Sequence, residues 1–190
     1  MKKLFIGAVG LMILLTLGCA ATQTVPPAQT QAPSTNETAM VWFERGIAYV
    51  QSGDFEAAVK DLTRAIDNDP DFVSAYYIRG QALGRLGRHE QAIGDFTQTL
   101  LRNPKNANAY ADRGAAYGSL GRHAEAIADF TQAISLNPNL AAAYYNRAIG
   151  YFAEKKCAEA KKDMRQAQEL DYQKIRPEFL DALKKDCPEN

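Results

Sequence analysis

The sequence predicts an all-α fold made of stacked helix pairs, and three observations carry that prediction. Gly46, Gly80 and Gly114 stand 34 residues apart, with Ala148 in the fourth place. Pro70, Pro104 and Pro138 keep the same step, and so do Gly53, Gly87 and Gly121. Between these marks the apolar residues fall at helical spacing. A fixed period of this length denotes supersecondary units, each able to bury its apolar face only against its neighbours. Stacks of this kind offer surfaces to partners and rarely perform chemistry.

Residues 1–18 read as a signal peptide. Lys2 and Lys3 precede an apolar run from Leu4 to Leu17, shorter than the roughly 20 residues a membrane span needs. Small residues follow: Gly18, Cys19, Ala20 and Ala21. That order is the pattern of a secretory signal. Thr16-Leu17-Gly18-Cys19 resembles the lipobox of bacterial lipoproteins, with Thr16 where Leu is usual. The resemblance implies that Cys19 is the lipidated N-terminus of the mature protein. Ordinary signal cleavage after Ala20 or Ala21 is the alternative. Acyl chains contribute about 0.8 kcal/mol per buried CH₂, so three chains on one cysteine anchor stably. By resemblance to the lipoproteins of bacteria with two membranes, Ala20 stands where Asp would favour retention at the inner membrane, which implies, in such a cell, the periplasmic face of the outer membrane as the expected place.

Residues 19–38 form the next segment, Cys19 followed by a stretch rich in Thr, Gln, Ala and Pro. Glu37 is its only charged residue. Without periodicity or apolar content it reads as a flexible linker. At about 3.3 Å per residue it reaches at most roughly 60 Å.

Four repeats follow, at 39–72, 73–106, 107–140 and 141–172. Trp42, Tyr76, Tyr110 and Tyr144 hold position four of each, and Gly46, Gly80, Gly114 and Ala148 hold position eight. Tyr49, Leu83, Tyr117 and Tyr151 hold position eleven. These lie on one face of a first helix. Ala58, Ala92, Ala126 and Ala160 hold position twenty. Leu62, Phe96, Phe130 and Met164 hold position twenty-four, and Ala65, Thr99, Ala133 and Ala167 position twenty-seven. These share a face of a second helix. Large residues meet small ones, which lets the two helices approach closely. Glycine at position fifteen turns the chain and proline at thirty-two stops the second helix.

The pattern resembles the tetratricopeptide repeat, in four copies. The resemblance implies a right-handed superhelix of four helix-turn-helix units. The fourth copy departs from it. Lys155 and Lys156 stand at the turn, Tyr172 replaces the proline, and Lys161 and Gln168 replace Val/Ile and Ile/Leu. That polarity suits an end repeat, where stacking stops.

Arg45, Arg79, Arg113 and Arg147 all hold position seven, while Asp61, Asp95, Asp129 and Asp163 all hold position twenty-three. Both positions lie eight residues from the turn, so they sit level in an antiparallel pair. An Arg–Asp pair inside each repeat is expected, bidentate where geometry allows, with a structural and not a catalytic role.

Residues 173–190 hold a capping helix and tail. Pro177 and Glu178 suit its first turn, Lys184 and Lys185 its last, and Phe179, Leu180 and Leu183 give it an apolar face. Cys157 begins the last repeat's second helix and Cys187 follows the antiparallel cap, so the two meet. In an exported protein a disulfide is expected.

The chain's 22 basic and 22 acidic residues cancel, so there is no basic stripe for nucleic acid. His89 and His123 both hold position seventeen. Neither has a second ligand at metal spacing, and both read as half-exposed helix-start residues. No phosphate loop, nucleophile elbow or zinc-protease motif occurs, so no enzyme, metal or cofactor is expected.

The candidate site is the concave groove, which the resemblance lines with positions two, five, nine, twelve and thirteen. Here these include Met40, Phe43, Ile47, Ser74, Tyr77, Gln81, Arg85, Asn108, Ser119 and Tyr145. Aromatics supply contact at low entropy cost, and amides and hydroxyls can meet a peptide backbone. Some members of the family grip a terminal carboxylate with Lys and Asn at positions five and nine. Phe43, Tyr77, Ala111 and Tyr145 hold position five here, so that clamp is missing. The expected function is a protein-binding scaffold in the bacterial envelope, holding a segment or helix of a partner protein. A self-associating structural protein is the alternative.

Overall fold

A computed structural model describes residues 35–188. The signal peptide, Cys19 and the linker up to residue 34 lie outside the described residues. Nine α-helices follow in order among those described: α1 Thr35–Ser52, α2 Phe55–Asn68, α3 Val73–Arg85, α4 His89–Arg102, α5 Ala107–Ser119, α6 His123–Leu136, α7 Ala141–Ala153, α8 Cys157–Glu169 and α9 Pro177–Asp186. Each odd helix packs on the next even one, and each pair on the following pair. This is the tetratricopeptide superhelix with a C-terminal helix. The linker expected to reach residue 38 is corrected at its end, because 35–38 already belong to α1.

Size complementarity at position eight sets the distance within a pair. A Cβ placed on Gly80 would lie 2.8 Å from Phe96 Cε1, and one on Gly46 would lie 2.7 Å from Leu62 Cγ. Real carbon atoms do not approach that closely, so glycine lets the large residue at position twenty-four press against the first helix. The fourth repeat reaches the same end differently. Ala148 is fully buried there in one cluster with Met164, the residue at position twenty-four, whose unbranched chain adapts to the extra carbon more readily than a ring.

The turns show the same substitution logic. Gly53, Gly87 and Gly121 take φ of 82°, 74° and 71°, and Lys155 takes 59° at the equivalent place. A side chain in this left-handed region meets its own carbonyl. Lys155→Gly is therefore expected to raise stability by about 0.5–1 kcal/mol, read as a higher urea midpoint at unchanged slope. An unchanged or lower midpoint would show that the lysine turn carries no strain.

The four Arg–Asp pairs are bidentate. Arg79 Nε and Nη2 donate to the two Asp95 oxygens at 2.8 and 2.8 Å. Arg113 does so to Asp129 at 2.7 and 2.9 Å, and Arg147 to Asp163 at 2.6 and 2.9 Å. Arg45 Nη2 donates to Asp61 at 2.8 Å, with Nε donating beside it. The hydrogen bond from Arg45 holds the Asp61 carboxyl below its ordinary pKa, against the opposing effect of burial. In the last three repeats a third bond links the pair to the repeat before it. Arg79, Arg113 and Arg147 each donate Nη1 to Thr63, Thr97 and Thr131 of the preceding repeat, at 3.0 Å in all three cases. No other repeat precedes the first among the described residues, and the Arg45 side chain is 47% exposed against 19% for Arg79.

At the other end α9 closes part of the stack. Cys157 and Cys187 form a disulfide with Cα atoms 5.4 Å apart. Phe179 packs edge-on against Tyr145 and Phe152, with centroids 5.8 and 5.5 Å away. No described helix is long and apolar enough to cross a membrane.

Candidate functional site

The first helices α1, α3, α5 and α7 bear the residues expected in the groove. Two hollows open along α3, α5 and α7. One, of 450 Å³, is lined by Gln81, Gly84, Arg85, His89, Asp112 and Ser119 among others. The next, of 280 Å³, is lined by Gly118, Ser119, His123, Asn146 and Ile149 among others. Ala115 and Ser119 line both, so the two hollows adjoin on either side of α5 and together give a channel-like surface that spans two repeats. Its depth comes from small residues. A Cβ on Gly84 would meet nothing within 4 Å, and one on Gly118 would meet only the Ala126 Cβ, at 4.0 Å.

A polar bridge joins α3 to α5 at the channel wall. Tyr77 donates its hydroxyl to Asp112 Oδ2 at 2.9 Å. Gln81 Nε2 donates to the same oxygen at 3.0 Å and to the Tyr77 hydroxyl at 3.0 Å. Burial, then the neighbouring Asp112 charge, push the Tyr77 phenol upward from its ordinary pKa, so it stays a donor. The bridge spends the amide donors of Gln81 and leaves its carbonyl, with Asp112 Oδ1, as acceptors for incoming N–H groups. Arg85 is exposed beside them as a donor for carbonyls or carboxylates. Such alternating donors and acceptors match an extended main chain.

Of the ten groove residues expected from sequence, Gln81, Arg85 and Ser119 line the channel, and Tyr77 supports it through the bridge. Met40, Ser74 and Asn108 are exposed but line neither hollow. Ile47 is half-buried and also lies outside them. Phe43 packs on Phe72, centroids 4.5 Å apart. Tyr145 is a correction. It is buried beneath the C-terminal segment, tilted against Tyr172 and edge-on to Phe179. Its hydroxyl accepts from Arg176 N and Nε, at 3.2 Å each. It is a packing residue and offers no groove surface. The sequence reading missed Asp112 and the half-buried His89 and His123 as wall residues, while the floor glycines Gly84 and Gly118 hold position twelve, which it placed in the groove without naming them. The Nδ1 of His89 is buried without a hydrogen-bond partner. No group of three metal-ligating side chains occurs among the described residues.

Comparison with known proteins agrees with this architecture. Tetratricopeptide repeat profiles match residues 43–96 and 107–140. Among curated proteins none matches the sequence. Among solved structures, MamA is similar at 27% identity and a TM-score of 0.68, over 72% of this chain and 80% of that one. The first tetratricopeptide domain of Spaghetti (RPAP3), solved with the HSP90 peptide SRMEEVD bound, matches at 28% identity and a TM-score of 0.61. That match covers 63% of this chain and 95% of the other. The OM64 tetratricopeptide domain of Arabidopsis matches at 32% identity and a TM-score of 0.60, over 61% and 96%. The chain belongs to the tetratricopeptide repeat family, whose members are in general protein-binding scaffolds without catalytic function.

Proposed function

We propose that this chain is a non-enzymatic adaptor of the bacterial envelope that holds an extended segment of a partner protein in its concave channel. The observation that carries the reading is the glycine-floored channel with the Tyr77–Gln81–Asp112 bridge at its wall. Its open acceptors and the Arg85 donor suit a peptide main chain. The peptide bound by the RPAP3 domain supports the mode of binding. The chemistry here differs, because Tyr77 and Gln81 stand at positions five and nine and the partner need not end in a carboxylate. The lipobox-like Thr16–Cys19 supports the second half of the proposal. Lipidation at Cys19 would tether the repeats to the periplasmic face of an outer membrane, with the linker setting their reach.

The test fills the channel. Gly84→Leu with Gly118→Leu places two bulky side chains where the backbone leaves space. Glycine in a helix costs about 0.5–1 kcal/mol relative to alanine, so the variant is expected to fold at least as stably as the native chain. In cross-linked capture from envelope extract, a protein held by the native chain should be lost by the variant. An identical catch from both would move the binding surface away from the channel.

A further inference from the structure

The end of the stack carries a second groove, chemically unlike the first. Between α8 and α9 lies a hollow of 410 Å³ floored by Met164, Leu180 and Leu183 and rimmed by Lys161, Arg165 and Lys184. Met164 and Leu183 are buried in the core, while Arg165 and Lys184 are exposed. No carboxylate lines the hollow. Among the described residues none of the three cations is in an ion pair.

The repeat itself says what this surface was shaped for. In the earlier repeats, positions twenty-one, twenty-five and twenty-eight of the second helix receive the first helix of the next repeat. Val59 and Ile66 pack with Ala75 and Ala82. Ile127 lies against Gly150, whose added Cβ would be 3.0 Å from Ile127 Cγ1. Thr63, Thr97 and Thr131 accept from the incoming arginine at position seven. On α8 the same three positions are Lys161, Arg165 and Gln168. A helix-sized seat is therefore kept, but one apolar position and the acceptor position have become the cations Lys161 and Arg165, the other apolar position has become Gln168, and α9 covers only part of it. Another copy of this chain does not fit by continuing the stack: its Arg45 would come to rest against Arg165, where the earlier repeats offer a threonine oxygen. The like charges oppose head-to-tail stacking, which would otherwise run on into open filaments.

We propose that the α8–α9 groove is a second docking site, for an acidic amphipathic helix of a partner protein. Leucine-like side chains of that helix lie on Met164, Leu180 and Leu183, and its carboxylates meet Lys161, Arg165 and Lys184. The groove is independent of the concave channel, so the chain joins two protein segments at once.

The probe is a labelled peptide of about 18 residues, long enough to form a stable amphipathic helix on a surface. One face is leucine and the other glutamate, and a matched control carries lysine for glutamate. Fluorescence anisotropy with the full-length, oxidised chain should show binding of the glutamate peptide, weakening as salt rises, and none of the lysine peptide. The Lys161→Glu, Arg165→Glu, Lys184→Glu variant should weaken the glutamate peptide by about tenfold or more and accept the lysine peptide. In the unaltered protein, methyl NMR signals of Met164, Leu180 and Leu183 should shift on titration, which keeps the test sound if the variant misfolds. The Gly84→Leu, Gly118→Leu variant should bind the peptide normally. Equal binding of both peptides, loss of binding on filling the concave channel, or unmoved methyl signals would each overturn the proposal. So would charge-dependent flotation with phosphatidylglycerol vesicles in the absence of peptide binding, which would assign the cations to a lipid surface.

Discussion

Asp95→Ala is expected to destabilise the stack by about 3–5 kcal/mol, the cost of leaving one member of a buried ion pair without its partner. Arg79 makes three side-chain bonds, two to Asp95 and one to Thr63, and its guanidinium also lies over the Tyr76 ring, 5.7 Å from the centroid. Its side chain is only 19% exposed, so water cannot replace the lost carboxylate. The position matters as much as the pair. The same change at Asp61 strands Arg45, which is 47% exposed and can turn towards solvent. The loss should therefore be clearly smaller at Asp61 than at Asp95. Urea unfolding of the two variants, followed by helicity, reads the difference directly. Equal losses would mean that burial by the preceding repeat does not set the cost, and that the Thr63 bond holds the arginine in place by itself.

The parts of this fold that recur were legible in the sequence, and the parts made by its ends were not. A residue repeated every 34 positions reports its place within a helix pair, which is why the level Arg–Asp pairs and the glycines under Leu62 and Phe96 could be placed from spacing. The threonine at position twenty-five repeats as regularly, at Thr63, Thr97 and Thr131. Its use depends on the next repeat, though, and a period alone does not say which faces touch across repeats. The Tyr77–Gln81–Asp112 bridge went unread for the same reason, since it joins position six of one repeat to positions five and nine of another. Tyr145 shows the opposite failure. By its position it belongs in the groove with Tyr77, but a segment outside the repeats folds over it, and Arg176 takes its hydroxyl. Repetition predicts an equivalent environment only where an equivalent neighbour exists.

Removal of the Cys157–Cys187 bond, by Cys157→Ala with Cys187→Ala, is expected to lower stability by about 3–4 kcal/mol. Chain entropy gives that figure for a loop of this length, the two cysteines being 30 residues apart. The local structure places the loss at the C-terminal end. Phe179 and Leu183 are the two buried side chains α9 contributes to the cap besides the Cys187 that follows it, a small apolar area for holding a ten-residue helix. Without the cross-link, α9 should fray before the repeats unfold, exposing Tyr145 and Phe152 from which Phe179 withdraws. In a stack of repeats such end fraying is separable from the main transition. Hydrogen exchange should therefore show faster exchange in α9 and the adjoining face of α7, with α3 to α6 unchanged. Reduction of the native protein should reproduce the effect, and reductant should leave the double variant where it was. Full protection of α9 in the variant would show that packing alone holds the cap. The α8–α9 groove would then keep its shape whatever the redox state of its surroundings.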